Sequence, residues 1–209
     1  MTRPLPENRK RKTKDPCPGC YLHKARCMCS EIPVLNLKTK ISLVIHTKEL
    51  KRTTNTGRLA IKALSNSEMR VRGEGNDTLD LSNLINSNYE TFLFYPTENA
   101  IELSEHFKND YIKPIHLIVP DGNWRQASKV HTRHHELKDI PRVKISTPNM
   151  AKLHLRKESF ESGMATLEAI AHALGFIEGE NVKNELMKVY WKKLEQTFIG
   201  RGLIKIIKK

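Results

Sequence analysis

The segment IHLIVPDGNWRQASKV, residues 115–130, puts a carboxylate and an indole on one short turn. An apolar run stops at Pro120, and Asp121, Gly122, Asn123 and Trp124 follow before a polar stretch of helical pattern opens at Arg125. A carboxylate so placed can take the proton of a weakly acidic group, and an indole beside it can support an unstacked nucleobase. The same residue types also serve plain structure. Asp121 and Asn123 are both helix-capping side chains, and Trp124 can anchor a core.

A second constellation is Cys17-x2-Cys20 followed by Cys27-x-Cys29, which holds all four cysteines of the chain. They are too local to be a disulfide framework for 209 residues. Four thiolates suit a closed tetrahedral zinc shell of the structural kind, with no open position for a catalytic water. His23 sits inside the loop as an unneeded spare ligand, and Lys24 and Arg26, between the ligand pairs, are expected to face phosphate.

The elements that must position these residues alternate. ISLVIH, ETFLFYP, PIHLIVP and RVKIS are short apolar runs, three of which read as buried strands, and NTGRLAIKALSN, AIELSEHF and RQASKVHTRHHEL are helical patterns between them. That rhythm predicts an α/β fold with a mostly parallel sheet covered on both faces. Ligands of such sheets bind beyond the carboxyl ends of the strands. Three turns meet that description: 46–49, 95–98 and 121–124. Glu49 and Glu98 there also read as first-turn acids favoured by a helix dipole. GMATLEAIAHALG, residues 163–175, predicts a helix ended by Gly175, and 181–199 a final amphipathic helix. The expected organisation is a basic arm over 1–16, a zinc knuckle over 17–37, an α/β body over 38–177, which the resemblance given below implies is the catalytic domain, and a C-terminal helix with a basic tail over 178–209.

The formal charge is +13, from 36 Lys+Arg against 23 Asp+Glu. Such a field attracts polyanions, nucleic acid first, although a single-sign surface also serves solubility alone. Arg133 with His131, His134 and His135 adds a further cluster that suits phosphate. No run approaches the roughly 18 apolar residues of a membrane span, and no signal peptide opens the chain. The expectation is a cytoplasmic protein with no membrane partner.

CPGCYLHKARCMC, HTKELKRTTNTGRLA, FYPTENA, PDGNWRQASKV and LRKESFESGMATLEAIAHAL, in this order, resemble the DTW-domain family over roughly residues 17–177. The resemblance implies transfer of the aminocarboxypropyl group of S-adenosylmethionine to N3 of a uridine in tRNA, leaving methylthioadenosine. It also implies a SPOUT-like α/β fold with a C-terminal trefoil knot, a path that no sequence pattern would propose. Carried over residue by residue, Asp121 is the general base and Trp124 the wall beside it. Tyr95, Pro96, Thr97, Glu98, Asp121, Gly122 and Asn123 are expected at the co-substrate, with Ser162, Thr166, Leu167 and Glu168. Lys48, Arg58 and Arg125 are expected at the substrate, along with Lys24 and Arg26 of the knuckle. Arg58 or Arg125 offers the fork that an α-carboxylate needs, and Glu98 or Glu168 an acceptor for an ammonium or a ribose hydroxyl. Asn123 stands where the family signature has Thr, and His46-Thr47-Lys48-Glu49 where relatives often read His-Pro-Lys-Glu. Two rival readings share these residues: a SPOUT-type RNA methyltransferase, and a non-catalytic zinc-containing RNA-binding protein. Monomer and homodimer both fit.

Overall fold

The computed structural model describes residues 13–73, 79–146 and 164–203. Residues 147–163, among them Ser162, lie outside the described residues, and with them part of the C-terminal path on which the knot implied by the resemblance depends.

Strands β1 (Lys40–His46), β2 (Ser67–Arg72), β3 (Glu90–Phe94), β4 (Ile101–Glu102), β5 (Ile115–Asp121) and β6 (Arg142–Lys144) form one sheet in the order β2-β1-β5-β3-β6-β4. Every pairing is parallel. β1 and β5 are interior neighbours in this order and are buried along almost their whole length, as expected of strands covered on both faces. The helices are α1 (Gly57–Ala63), α2 (Trp124–Arg133), α3 (Thr166–Glu178) and α4 (Glu180–Gly200).

Strand periodicity sorts the core into two layers. Ile41, Leu43, Ile45, Leu117 and Val119 face Leu59, Ile170, Leu174 and Tyr190, so α1, α3 and α4 cover one side. Val44, Leu93 and Ile118 face Val130 and Leu137, so α2 covers the other. Cys17, Cys20, Leu22 and Met28 belong to the first layer, which seats the cysteine knuckle against α1, α3 and α4. A polar pair interrupts the central strands: Ser42 Oγ lies 2.8 Å from His116 Nε2 and donates to Glu68 Oε1 at 3.1 Å. Burial pushes the His116 imidazole down to about 4.

Three elements differ from the sequence expectation. AIELSEHF is no helix; it forms the two-residue β4 and leads to a 3-10 turn at Phe107–Asp110. Edge strand β2, SEMRVR, is polar enough to have escaped notice. The helix expected to stop at Gly175 continues to Glu178 and is capped by Gly179, whose φ of 107° suits glycine. Gly175 instead marks close packing, since a Cβ there would lie 2.9 Å from Lys183 Cδ on α4. Among the described residues no helix is long and apolar enough to cross a membrane.

Candidate active site and metal knuckle

β1, β5 and β3 are neighbours in the sheet, so the turns at 46–49, 121–124 and 95–98 lie side by side at their carboxyl ends. β5 is inserted between two strands that precede it in sequence, which puts the Asp121 turn where the winding of the sheet reverses, the usual ligand position of open α/β sheets. Asp121 closes β5 and is 4% exposed. Its Oδ2 accepts from Asn55 Nδ2 and its Oδ1 from Thr166 Oγ1, each at 2.6 Å. Asn55 Oδ1 accepts in turn from the Arg58 amide at 3.3 Å, and Thr56 Oγ1 from the Leu167 amide at 3.2 Å. The carboxylate thereby ties the entry of α1 to the entry of α3. Gly57 is required by this close approach, because a Cβ there would lie 2.7 Å from Asp121 Oδ2. Asn55, Thr56 and Gly57 were not singled out from the sequence; the local signal was the polar N-T-G preceding an apolar helix.

Asn123 takes the capping role open to both residues. Its Oδ1 accepts from the Gln126 amide at 2.9 Å, and its amide donates to Gln126 Oε1 at 2.8 Å, a capping box that leaves Asp121 to its cross-chain partners. Trp124 opens α2 with 40% of its surface exposed. Tyr95 stands edge-on to it, with ring centroids 6.4 Å apart, and stacks on His131 at 5.2 Å. After Tyr95 and Pro96, the Thr97 and Glu98 carbonyls accept from Lys144 Nζ at 3.4 Å, and the Glu98 side chain is exposed. Glu168 differs from it, being 3% exposed with Oε2 accepting from the Ala165 amide at 3.3 Å. Gly122 bridges Asp121 and the Asn123 cap.

Cations gather beside this edge. Arg125, Lys129 and Arg133 recur every four residues on α2, with Lys48 and Arg72 across from them. Arg133 above all, then slight burial and the charges of Arg125, Arg72 and Lys48, lower the Lys129 pKa. Burial, with Arg72 and Lys48, likewise holds His46 below its usual range. His134 is buried, 2.9 Å from Glu136 Oε1 and bonded by Arg72 Nε at 3.2 Å, while His135 is exposed. Arg58 turns the other way: it donates to the Leu50 carbonyl at 2.7 Å and lies 3.9 Å over the Tyr21 ring of the knuckle. Glu49, fully buried, is 3.1 Å from Arg52.

The four cysteine sulfurs lie within 4.8 Å of one another. Separations of 3.7 Å for Cys17 and Cys29, 3.9 Å for Cys20 and Cys27, and 3.4 Å for Cys17 and Cys27 match the roughly 3.8 Å between thiolates each about 2.3 Å from a tetrahedral zinc. All four are free. The donor set therefore fits structural zinc. A Cβ on Gly19 would sit 2.6 Å from Cys29 Sγ, so only glycine lets the loop close on that sulfur. The Cys20 amide holds the Cys17 thiol down to about 6, while burial pushes Cys29 up to about 12. Lys24 pairs with Asp15 at 2.9 Å, and the Arg26 guanidinium packs on α4, within 3.1 Å of where a Gly200 Cβ would stand.

The sequence model of the DTW domain matches residues 14–198. The chain belongs to the DTW-domain family. The DTW match takes in the knuckle, the Asp121 turn and nearly all of α4. Among curated relatives, the tRNA-uridine aminocarboxypropyltransferase 2 of Macaca fascicularis is 24% identical over 183 residues, covering 84% of this chain and 61% of its own. The enzyme of the same name from Drosophila melanogaster is 25% identical, covering 83% of this chain and 69% of its own. The tRNA-uridine aminocarboxypropyltransferase A of Arabidopsis thaliana is 26% identical, covering 83% and 77%. This DTW-domain chain thus spans about three fifths of the length of the macaque relative. No solved structure matches it significantly.

Proposed function

We propose that this protein is a tRNA-uridine aminocarboxypropyltransferase, moving the 3-amino-3-carboxypropyl group of S-adenosylmethionine to N3 of a uridine in tRNA. The observation that carries the reading is the Asp121 carboxylate, buried and pinned from two sides beside a half-exposed Trp124, in a chain whose similar curated proteins bear that name. The reaction forms a bond from N3 to carbon, breaks the sulfonium carbon–sulfur bond, and releases methylthioadenosine and a proton. Asp121 is the proton acceptor. Asn55 and Thr166 fix its plane, as a base that must meet the N3 proton in one orientation requires. Trp124, with Tyr95 behind it, supports the unstacked uracil.

The co-substrate supplies an electrophilic methylene beside a positive sulfur. Its methyl group is the less hindered target, so selectivity comes from orientation. The backbone from Tyr95 to Glu98, the turn from Asp121 to Asn123, and Ser162 with the α3 entry at Thr166, Leu167 and Glu168 are assigned to holding it. Arg125 and Lys48 meet the RNA or the co-substrate carboxylate. Arg58, stacked on Tyr21, serves by holding the Asn55 loop. The knuckle, with Lys24 and Arg26, adds positive charge at the periphery, and the α2 stripe is the main seat for tRNA phosphates.

The test uses S-adenosylmethionine labelled with one isotope in the methyl group and another in the carboxylate, incubated with bulk tRNA beside an Asp121→Ala control. Carboxylate label on tRNA, absent in the mutant, is the expected result. Methyl label would make the protein a methyltransferase, and no label with intact tRNA binding would leave an RNA-binding protein without this chemistry.

A further inference from the structure

Lys193 has no role in the chemistry above, yet it is fully buried. It projects from α4 into the first core layer, where Nζ donates to the Cys20 carbonyl at 2.6 Å across 173 residues of sequence. The ionisable groups that face it are the Cys17, Cys20 and Cys29 thiols and the Arg58 guanidinium. Another cation stands close by, since Lys62 Nζ is 3.0 Å from where a Gly19 Cβ would be. The acids around the knuckle are engaged elsewhere, Asp15 with Lys24 at 2.9 Å and Glu31 with Lys192 at 3.3 Å. The buried ammonium is held by the Cys20 carbonyl and has a guanidinium for a neighbour, an arrangement that desolvation makes costly unless negative charge is fixed beside it.

Four thiolates around one zinc ion carry a net double negative charge, a fixed counter-charge for this ammonium. We infer that Lys193 is the outer cation of the metal–thiolate centre, so that loading the knuckle and seating α4 are one coupled event. The coupling reaches further. Tyr21 of the knuckle stacks on Arg58, whose amide bonds the same Asn55 that holds Asp121. Lys193 is thus a positioning residue, acting through the knuckle on the architecture behind the active-site turn. The inference stands on the cysteine geometry and the buried ammonium, independently of the reaction proposed above.

The test compares wild type, Lys193→Met and the surface control Lys188→Met, each loaded with zinc alone and then stripped by a chelator. Competition with a chromophoric chelator should show zinc held about 10–100-fold more weakly in K193M, the usual effect of losing a partner outside the ligand shell. The melting temperature should change sign. With zinc K193M melts below wild type; without zinc it melts above, because the apolar side chain relieves an uncompensated charge. A merely structural lysine would lower both. Hydrogen exchange on wild type, which needs no mutant to fold, should rise across residues 180–200 when zinc is removed. Zinc affinity within two-fold of wild type, equal destabilisation of both forms, α4 exchange indifferent to zinc, or a protein that takes up no zinc would each overturn the inference.

Discussion

Gly57→Ala isolates the fixing of Asp121 from every group that could touch substrate. The added methyl would stand 2.7 Å from Asp121 Oδ2, 3.0 Å from its Cγ and 3.2 Å from Leu43 Cδ1. Ordinary contact begins at 3.4 Å, so the carboxylate must retreat by about 0.7 Å, helix propensity being otherwise in favour of alanine. The backbone of α1 cannot retreat instead, because Leu59, Ala60 and Ala63 are fully buried. The displacement stretches one of the two 2.6 Å bonds, to Asn55 or to Thr166, towards the limit of a useful hydrogen bond. Overpacking of this kind costs about 1–3 kcal/mol, or a melting drop of roughly 2–4 °C per kcal/mol for a chain of this size. Misplacing a reacting group by about 1 Å costs up to about 100-fold in rate. Single-turnover aminocarboxypropyl transfer to tRNA, read beside tRNA affinity and thermal melting, should therefore fall about 10–100-fold with affinity unchanged. An alanine variant that melts at or above wild type and transfers at full rate would refute the close approach and the positional role of Asp121 together.

Replacing Arg125, Lys129 and Arg133 together by Gln should flatten the slope of log affinity for tRNA against log salt by about 2–3, at about 0.7–0.9 per phosphate contact. The same variant should gain stability, because like charges four residues apart on a helix oppose each other by about 0.2–0.5 kcal/mol per pair; an unchanged slope removes the stripe from the RNA surface. His116 makes stability depend on pH with a definite sign. Its folded value of about 4 lies below the ordinary 6.5, so the unfolded chain binds the proton first, and stability intact above pH 6.5 is lost as pH falls towards 4, by about 3 kcal/mol in full. Urea unfolding of wild type and His116→Gln across that window should show the mutant losing markedly less, and parallel losses would assign the acid sensitivity elsewhere.

The residues legible in the sequence were those whose meaning is local. Four cysteines at metal-ligand spacing announced the knuckle, and Asn123 with Gln126 three residues later is a capping signature readable without coordinates. The central strands announced themselves by burying both faces, whereas β2, with a charged or polar residue at most positions, did not. Partnership across the chain left no local trace. Asn55 reads as an ordinary loop residue, Thr166 is marked by the family resemblance only as a co-substrate contact, and nothing near either one names Asp121. Gly175 misled because a glycine demanded by helix packing and a glycine demanded by a helix stop look alike in sequence. Lys193 sits in a lysine-rich helix where only the fold distinguishes it from exposed Lys188 and half-buried Lys192.

The hydrogen bonds that assemble the site span 45 residues from Asp121 to Thr166, 66 from Asn55 to Asp121 and 111 from Thr56 to Leu167. Parallel pairing and contacts of such separation defer loop closure until late, which slows folding. As the ribosome extends this chain, β1 must wait through the synthesis of β2 to β4 before β5 arrives beside it, with an apolar strand open on one edge in the meantime. The Asp121 turn then has no partner on the α3 side until Thr166 is made. A nascent chain therefore carries the positively charged α2 stripe well before the Asp121 carboxylate is tied to α3, and on the proposed reading any RNA engaged that early would meet an unfinished site.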